Sequence, residues 1–227
     1  MRTLACALAG LLVASPASAD TGTESIQRFR LKNGLDVVLQ TDTRSAAVAV
    51  IMAYDTGMRD EPSGYDQLAH VVEHMTYEGS RHLEANRAIQ LLELAGMQEH
   101  NGTTSLDGTS YHSLLPAHAL PLVLWIESER MAFTLERFDE RALSHQRDVV
   151  RNELRPRLGP ENTFRLHFLR GLYGKDHPYA KSVDPLPDLD AIGIDDARWF
   201  FQQGYRPSNA HLVVVGDIDP GRARAHI

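Results

Sequence analysis

One helix constrains this chain more than any other feature, because it has to meet two demands at once. From residue 68 to residue 75 the sequence reads Leu68-Ala69-His70-Val71-Val72-Glu73-His74-Met75. Leu68, Val71, Val72 and Met75 recur at i, i+3, i+4 and i+7, the spacing of an apolar stripe on an α-helix. His70 and His74 stand just over one turn apart, so both imidazoles leave the same face, and Glu73 shares it. The spacing predicts a helix that buries one side and presents His, Glu and His on the other. Two neutral imidazoles beside a carboxylate suit a zinc ion with a proton acceptor at hand. The acid precedes the second histidine, H-x-x-E-H, which inverts the commoner H-E-x-x-H order. A plain amphipathic helix with a hydrated polar face is the competing reading, and five residues alone do not decide between them.

The surrounding pattern says what such a helix can pack on. Phe29–Leu31 and Leu35–Gln40 read as short strands around the turn Asn33-Gly34. Residues 46–54 form an apolar run rich in Val, Ile and Ala, a buried strand, and 55–64 a loop with Gly, Asp, Pro and Ser. The motif helix ends near Gly79, and a second helix over 84–94 stops at Gly96. The Thr-rich stretch 100–111 alternates like an edge strand with a turn. Long helices are predicted over 120–133 and 139–155, the second stopped by Pro156. A shorter helix over 164–173 leads into a Pro-, Asp- and Gly-rich connection over 174–190. Another helix covers 194–201, and a clear apolar strand covers 210–215. Strands first, helices in the middle and a strand at the end argue for an α+β fold, a mixed or antiparallel sheet covered by helices on one side.

Composition narrows the function classes. A chain of 227 residues that is 43% hydrophobic and 23% charged has enough apolar material for one substantial core. The net charge of −7, without a Lys/Arg run, does not indicate nucleic-acid binding, and no glycine-rich phosphate loop is present. Residues 1–19 read as a Sec-type signal peptide: Arg2, an apolar stretch from Leu4 to Val13, and Ala17-Ser18-Ala19 before the cut. That run is too short to span a bilayer. The expected mature domain is therefore 20–227, in the periplasm or outside the cell. Cys6, the only cysteine, falls in the removed segment, which excludes disulfides and cysteine-based chemistry from the mature chain.

Two histidines hold zinc weakly; a catalytic site has three protein ligands and an open position. The helix over 139–155 offers Glu140, Asp148 and Glu153. Here the chain resembles the insulinase/pitrilysin family of inverted-motif zinc peptidases, which includes mitochondrial processing peptidase. The resemblance runs through 68–75, Gly79-Ser80, Asn101-Gly102-Thr103-Thr104, Thr109-x-Tyr111 and Arg147-Asp148-Val149-Val150-Arg151-Asn152-Glu153-Leu154. It continues in His177-Pro178-Tyr179, Tyr205-Arg206-Pro207-Ser208-Asn209-Ala210 and Val215-Gly216-Asp217.

The resemblance implies that His70, His74 and Glu153 are zinc ligands and that Glu73 is the general base. It places Asn101 on a substrate-binding edge strand, where an extended peptide adds as a further strand; as a residue before Gly102, Asn101 also suits a turn. Three positions depart from the family pattern: Gln67 for Gly, Gln146 for a second acid in many relatives, and Gly102 for Ala. The implied activity is zinc-dependent endopeptidase action on unfolded peptides. Its rivals are a non-catalytic subunit that binds peptides or a partner, and a protein with a purely structural zinc. Relatives continue past Asp219-Pro220-Gly221 into a second domain of similar fold. The expectation is accordingly a zinc-bearing N-terminal half that needs a homologous partner chain or self-association.

Overall fold

The computed structural model describes residues 26–157, 159–181 and 188–227; the signal-peptide reading lies outside these residues. Six strands form one sheet: β1 (Ile26–Arg30), β2 (Asp36–Thr41), β3 (Ala47–Tyr54), β4 (Glu99–Thr104), β5 (Thr109–Pro116) and β6 (Ala210–Gly216). Their order is β1-β2-β6-β3-β5-β4. Only the β2–β6 pairing is parallel, so the sheet is mixed. β6, last in the chain, lies between β2 and β3.

Alternation sets the two faces of the sheet. Val37 pairs with Leu212, Leu212 with Met52 and Met52 with Tyr111, so one row of buried side chains crosses four strands. The opposite face carries Ala47, Ala49, Ala53 and the exposed Ile51. Helices cover the apolar face: α1 (Leu68–Met75), α2 (Arg87–Leu94), α3 (Leu120–Phe133), α4 (Glu140–Leu154), α5 (Pro160–Tyr173), α6 (Pro178–Lys181), α7 (Ile194–Gly204) and α8 (Pro220–His226). The α+β sheet with helices on one side is therefore as read from the strand and helix order. Among the described residues no helix is long and apolar enough to cross a membrane.

Element limits moved where turn chemistry outweighed apolar pattern. β1 lies earlier than Phe29–Leu31, because Leu31 already belongs to the turn. Leu31 and Leu35 share a backbone bond of 2.9 Å, and Gly34 takes a φ of 97°. α5 starts at Pro160 rather than Phe164, since proline suits the first turn, where no intrahelical N–H partner exists. α2 begins at Arg87, three residues late, because Ser80 to Asn86 are held in turns by Ser80–Leu83 and Asn86–Tyr77 backbone bonds.

The burial of α1 decides between its two readings. Its apolar residues Leu68, Val71, Val72 and Met75 are fully buried, as the stripe requires. On the opposite side His70 is 8% exposed and Glu73 6%, with His74 partly exposed. α1 packs against α4, α7 and β4, and its polar side chains meet side chains of α4 and β4. A hydrated amphipathic helix is excluded by that burial.

Candidate metal centre

The N-terminus of α1 is shaped around the motif. Glu61, itself buried, accepts from the backbone N–H of Ala69 at 2.9 Å and of Gln67 at 3.2 Å, satisfying donors that a helix start leaves free. Gln67 takes a left-handed conformation, φ 74°, and brings its side-chain Oε1 to 3.1 Å from His70 Nδ1. At the other end Thr76 Oγ1 donates to the Glu73 carbonyl at 2.7 Å and receives Arg130 Nη1 at 3.0 Å. Arg130 is buried, paired with Glu127 at 3.1 Å, and lies 3.8 Å above the Tyr111 ring. Tyr111 and Tyr205 join hydroxyls at 3.1 Å, and Tyr205 stacks on Tyr54. This buried network fixes the floor beneath Glu73.

Three donor atoms then converge. His70 Nε2 and His74 Nε2 are 3.2 Å apart, and Glu153 Oε2 lies 3.4 Å from the first and 3.6 Å from the second. Of the acids offered by α4, the structure brings Glu153 to the histidines. Asp148 is paired with Arg151, and Glu140 is exposed at the helix start. Both imidazoles direct Nδ1 at an amide oxygen, His70 at Gln67 and His74 at Gln146, the latter at 3.2 Å. With Nδ1 carrying the proton in each ring, both Nε2 lone pairs face each other and a carboxylate oxygen, a set that suits a cation between them. A tetrahedral zinc with bonds of about 2.0–2.2 Å separates its ligands by about 3.3–3.6 Å. The donor set therefore fits such an ion in identity and in spacing.

Glu73 stands beside this set. Burial pushes its carboxyl up from the ordinary value, while a bond from Thr104 and the proximity of His74 pull it down. Thr104 Oγ1 donates to Glu73 Oε2 at 2.6 Å. Gly102 lets β4 come this close: a Cβ there would lie 2.6 Å from Glu73 Oε1 and 2.9 Å from the Tyr77 hydroxyl. His70, Glu73, His74, Asn101, Gly102 and Glu153 all line one cleft of about 500 Å³. Asn101 is exposed on β4, an edge of the sheet, paired with His112 on one side only. Its placement in a strand rather than a turn settles the backbone alternatives for that residue.

Sequence reading missed the uses of Gln67, Gln146 and Thr104, and it missed Glu78, whose carboxylate accepts from the Gln146 amide. The first two stood out as departures, and their structural role is to orient the two histidines. Glu78 lies four residues after His74, a helical spacing that could have flagged it. Thr104 lay within a Thr-rich strand and carried no separate signal.

Comparison with known proteins decides the family. Residues 36–156 match the family described as insulinase, peptidase family M16. The chain belongs to that family. It is 29% identical over 205 residues to a Haemophilus influenzae protein named "Probable zinc protease PqqL", covering 86% of this chain and 22% of that protein. Among solved structures, a protease from Helicobacter pylori superposes with a TM-score of 0.82 at 26% identity, over 89% of this chain and 49% of that one. The first half of the periplasmic protease PqqL from Escherichia coli gives 0.78 at 26% identity, over 89% and 44%. The chain thus spans less than half the length of each of these proteins.

Proposed function

We propose that this chain is the metal-bearing half of a zinc-dependent endopeptidase that cleaves unfolded peptides, exported through removal of residues 1–19. The observation that carries this reading is the set of three lone-pair donors, His70, His74 and Glu153, spaced for zinc beside the buried carboxylate of Glu73. Relatives named zinc protease support it. His70, His74 and Glu153 would hold the ion, which when bound supplies a Lewis acid for the scissile carbonyl and acidifies the attacking water. Glu73 takes that water's proton and returns it to the leaving amine. Thr104 holds the Glu73 carboxylate against β4. The free edge of β4 at Asn101 aligns an extended peptide by strand addition.

A second homologous half, or a partner chain, completes the enzyme in this reading. The greater length of the relatives supports it. So does α5, which leaves Phe164, Phe168 and Leu172 exposed on successive turns, an apolar face typical of an interaction surface.

Metal analysis with a peptidase assay tests the proposal. The mature chain should carry one zinc, lose it in Glu153→Ala, and hydrolyse unstructured peptides slowly until a chain resembling the second half is added. Zinc retained by Glu153→Ala would overturn the ligand assignment. Rapid turnover by a verified monomer would overturn the need for a partner. Zinc without activity under any pairing would leave a protein with a structural zinc, and neither zinc nor activity a non-catalytic subunit that binds peptides or a partner.

A further inference from the structure

The amide of Gln146 faces two ways, and what fixes its orientation is not obvious from the zinc ligands. Gln146 is 7% exposed, with Oε1 3.2 Å from His74 Nδ1. Its Nε2 donates to Glu78 Oε1. Glu78 lies just beyond the end of α1, its side chain 18% exposed, and the more exposed His145 places Nδ1 3.3 Å from the same oxygen.

A carboxylate can only accept, so Glu78 compels the nitrogen end of the Gln146 amide toward itself. The oxygen end must then face His74, whose Nδ1 has to carry the proton. Nε2 of His74 is left as a lone pair pointing at His70 and Glu153, the tautomer a metal ligand needs. Were the amide reversed, its NH₂ would face Nδ1. The imidazole proton would then move to Nε2 and block the donor set. An amide alone is nearly symmetric in shape and cannot make this choice; a neighbour that only accepts makes it for the amide.

We propose that Glu78 is a positioning residue that fixes the metal-binding tautomer of His74 through the Gln146 amide. The inference rests on the zinc reading above and adds to it a residue that touches neither metal nor substrate. It also separates Glu78 from a simple charge effect. A nearby negative charge favours any cation in any background, whereas an orienting acceptor matters only while residue 146 has two distinguishable ends.

Zinc affinity of the mature chain, measured by competition with a chromophoric chelator, tests this in two backgrounds. Glu78→Leu should weaken zinc about tenfold, within the range for partners that orient ligands, and should change the visible spectrum of the cobalt-substituted chain. Glu78→Gln, nearly isosteric, should give a smaller loss in the same direction and covers the case in which the leucine variant fails to fold. In a Gln146→Glu background either carboxylate oxygen accepts from His74, so adding Glu78→Leu should leave zinc affinity unchanged or raise it. The same loss in both backgrounds would show a charge effect and overturn the proposal, as would unchanged affinity in both Glu78→Leu and Glu78→Gln. A wild-type chain that binds no zinc would overturn the zinc reading and this inference with it. Tight zinc in wild type with indifferent Glu78 variants would overturn this inference alone.

Discussion

Thr104 Oγ1 donates a hydrogen bond of 2.6 Å to Oε2 of Glu73, joining the edge strand of the sheet to the helix that carries the metal motif. The bond crosses from an element suited to holding substrate to the group proposed to move protons. A bond to a charged acceptor of this kind is worth about 1.5–3 kcal/mol. In an assembled, active enzyme Thr104→Val should lower kcat about tenfold or more with zinc affinity unchanged. Thr104→Ser should keep most of the rate. Equal rates for valine and wild type, measured on one peptide at saturation, would remove Thr104 from any role at Glu73.

Glu73→Gln keeps the shape of the side chain and the Thr104 contact but cannot take a proton. It should retain stoichiometric zinc and an unchanged melting temperature while losing about 10²–10⁴ in turnover. Parallel metal analysis and kinetics on the same preparation check both halves of that statement.

The pH dependence of folding should carry a signature of His100. Burial, followed by the charges of Arg130 and His112, pushes this imidazole down to about 4 from its ordinary 6.5, and its Nδ1 is held by Ser113 at 2.8 Å. Between these two values the unfolded chain binds a proton that the native chain does not. Stability is therefore full above about 6.5, falls as pH drops through the window, and stops falling below about 4. The loss is on the order of 3 kcal/mol at most. Urea unfolding in the presence of a chelator should show a shallower decline for His100→Gln than for wild type. Parallel curves for the two chains would assign the acid sensitivity elsewhere.

Arg130 and Glu127 form a buried pair, 4% and 2% exposed. Removing one partner strands the other, so Arg130→Met should destabilise by about 3–5 kcal/mol. Arg130→Met combined with Glu127→Leu should recover much of that loss, though the ring contacts to Tyr111 and Tyr77 go with the guanidinium. A double variant no more stable than Arg130→Met in denaturant titration would mean that those ring contacts and the Thr76 bond, rather than ion pairing, dominate.

The parts of this architecture that a reader of the sequence can recover are those with a local period. The stripe of Leu68, Val71, Val72 and Met75, the alternation of β3 and the i, i+4 histidines each declare themselves within a dozen residues. Helical position alone left Glu153 as one of three acids on α4; the family resemblance singled it out, and the fold brings it to the two histidines. What stayed hidden was relational. No local pattern says that α4 and β4 meet the polar side of α1. Nor does one say that two glutamines at positions where relatives carry other residues would each turn an oxygen toward a histidine. Gln146 stood out only as a departure, because the carboxylate behind it lay 68 positions away.

The place of β6 in the sheet has a consequence for how the chain comes into being. Without it, β1 and β2 form one ladder and β3, β5 and β4 another, with no hydrogen bonds between them. The strand that joins them is the last to be synthesised, at residues 210–216. Until it arrives, the four-strand row that supports the helices does not exist, and the histidines have no rigid base. Completion of this sheet must therefore wait for residues 210–216 and proceed through long-range pairing, which is slow. A nascent polypeptide of this design keeps its two ladders apart until β6 emerges, so the donors of the proposed metal site come together late in synthesis.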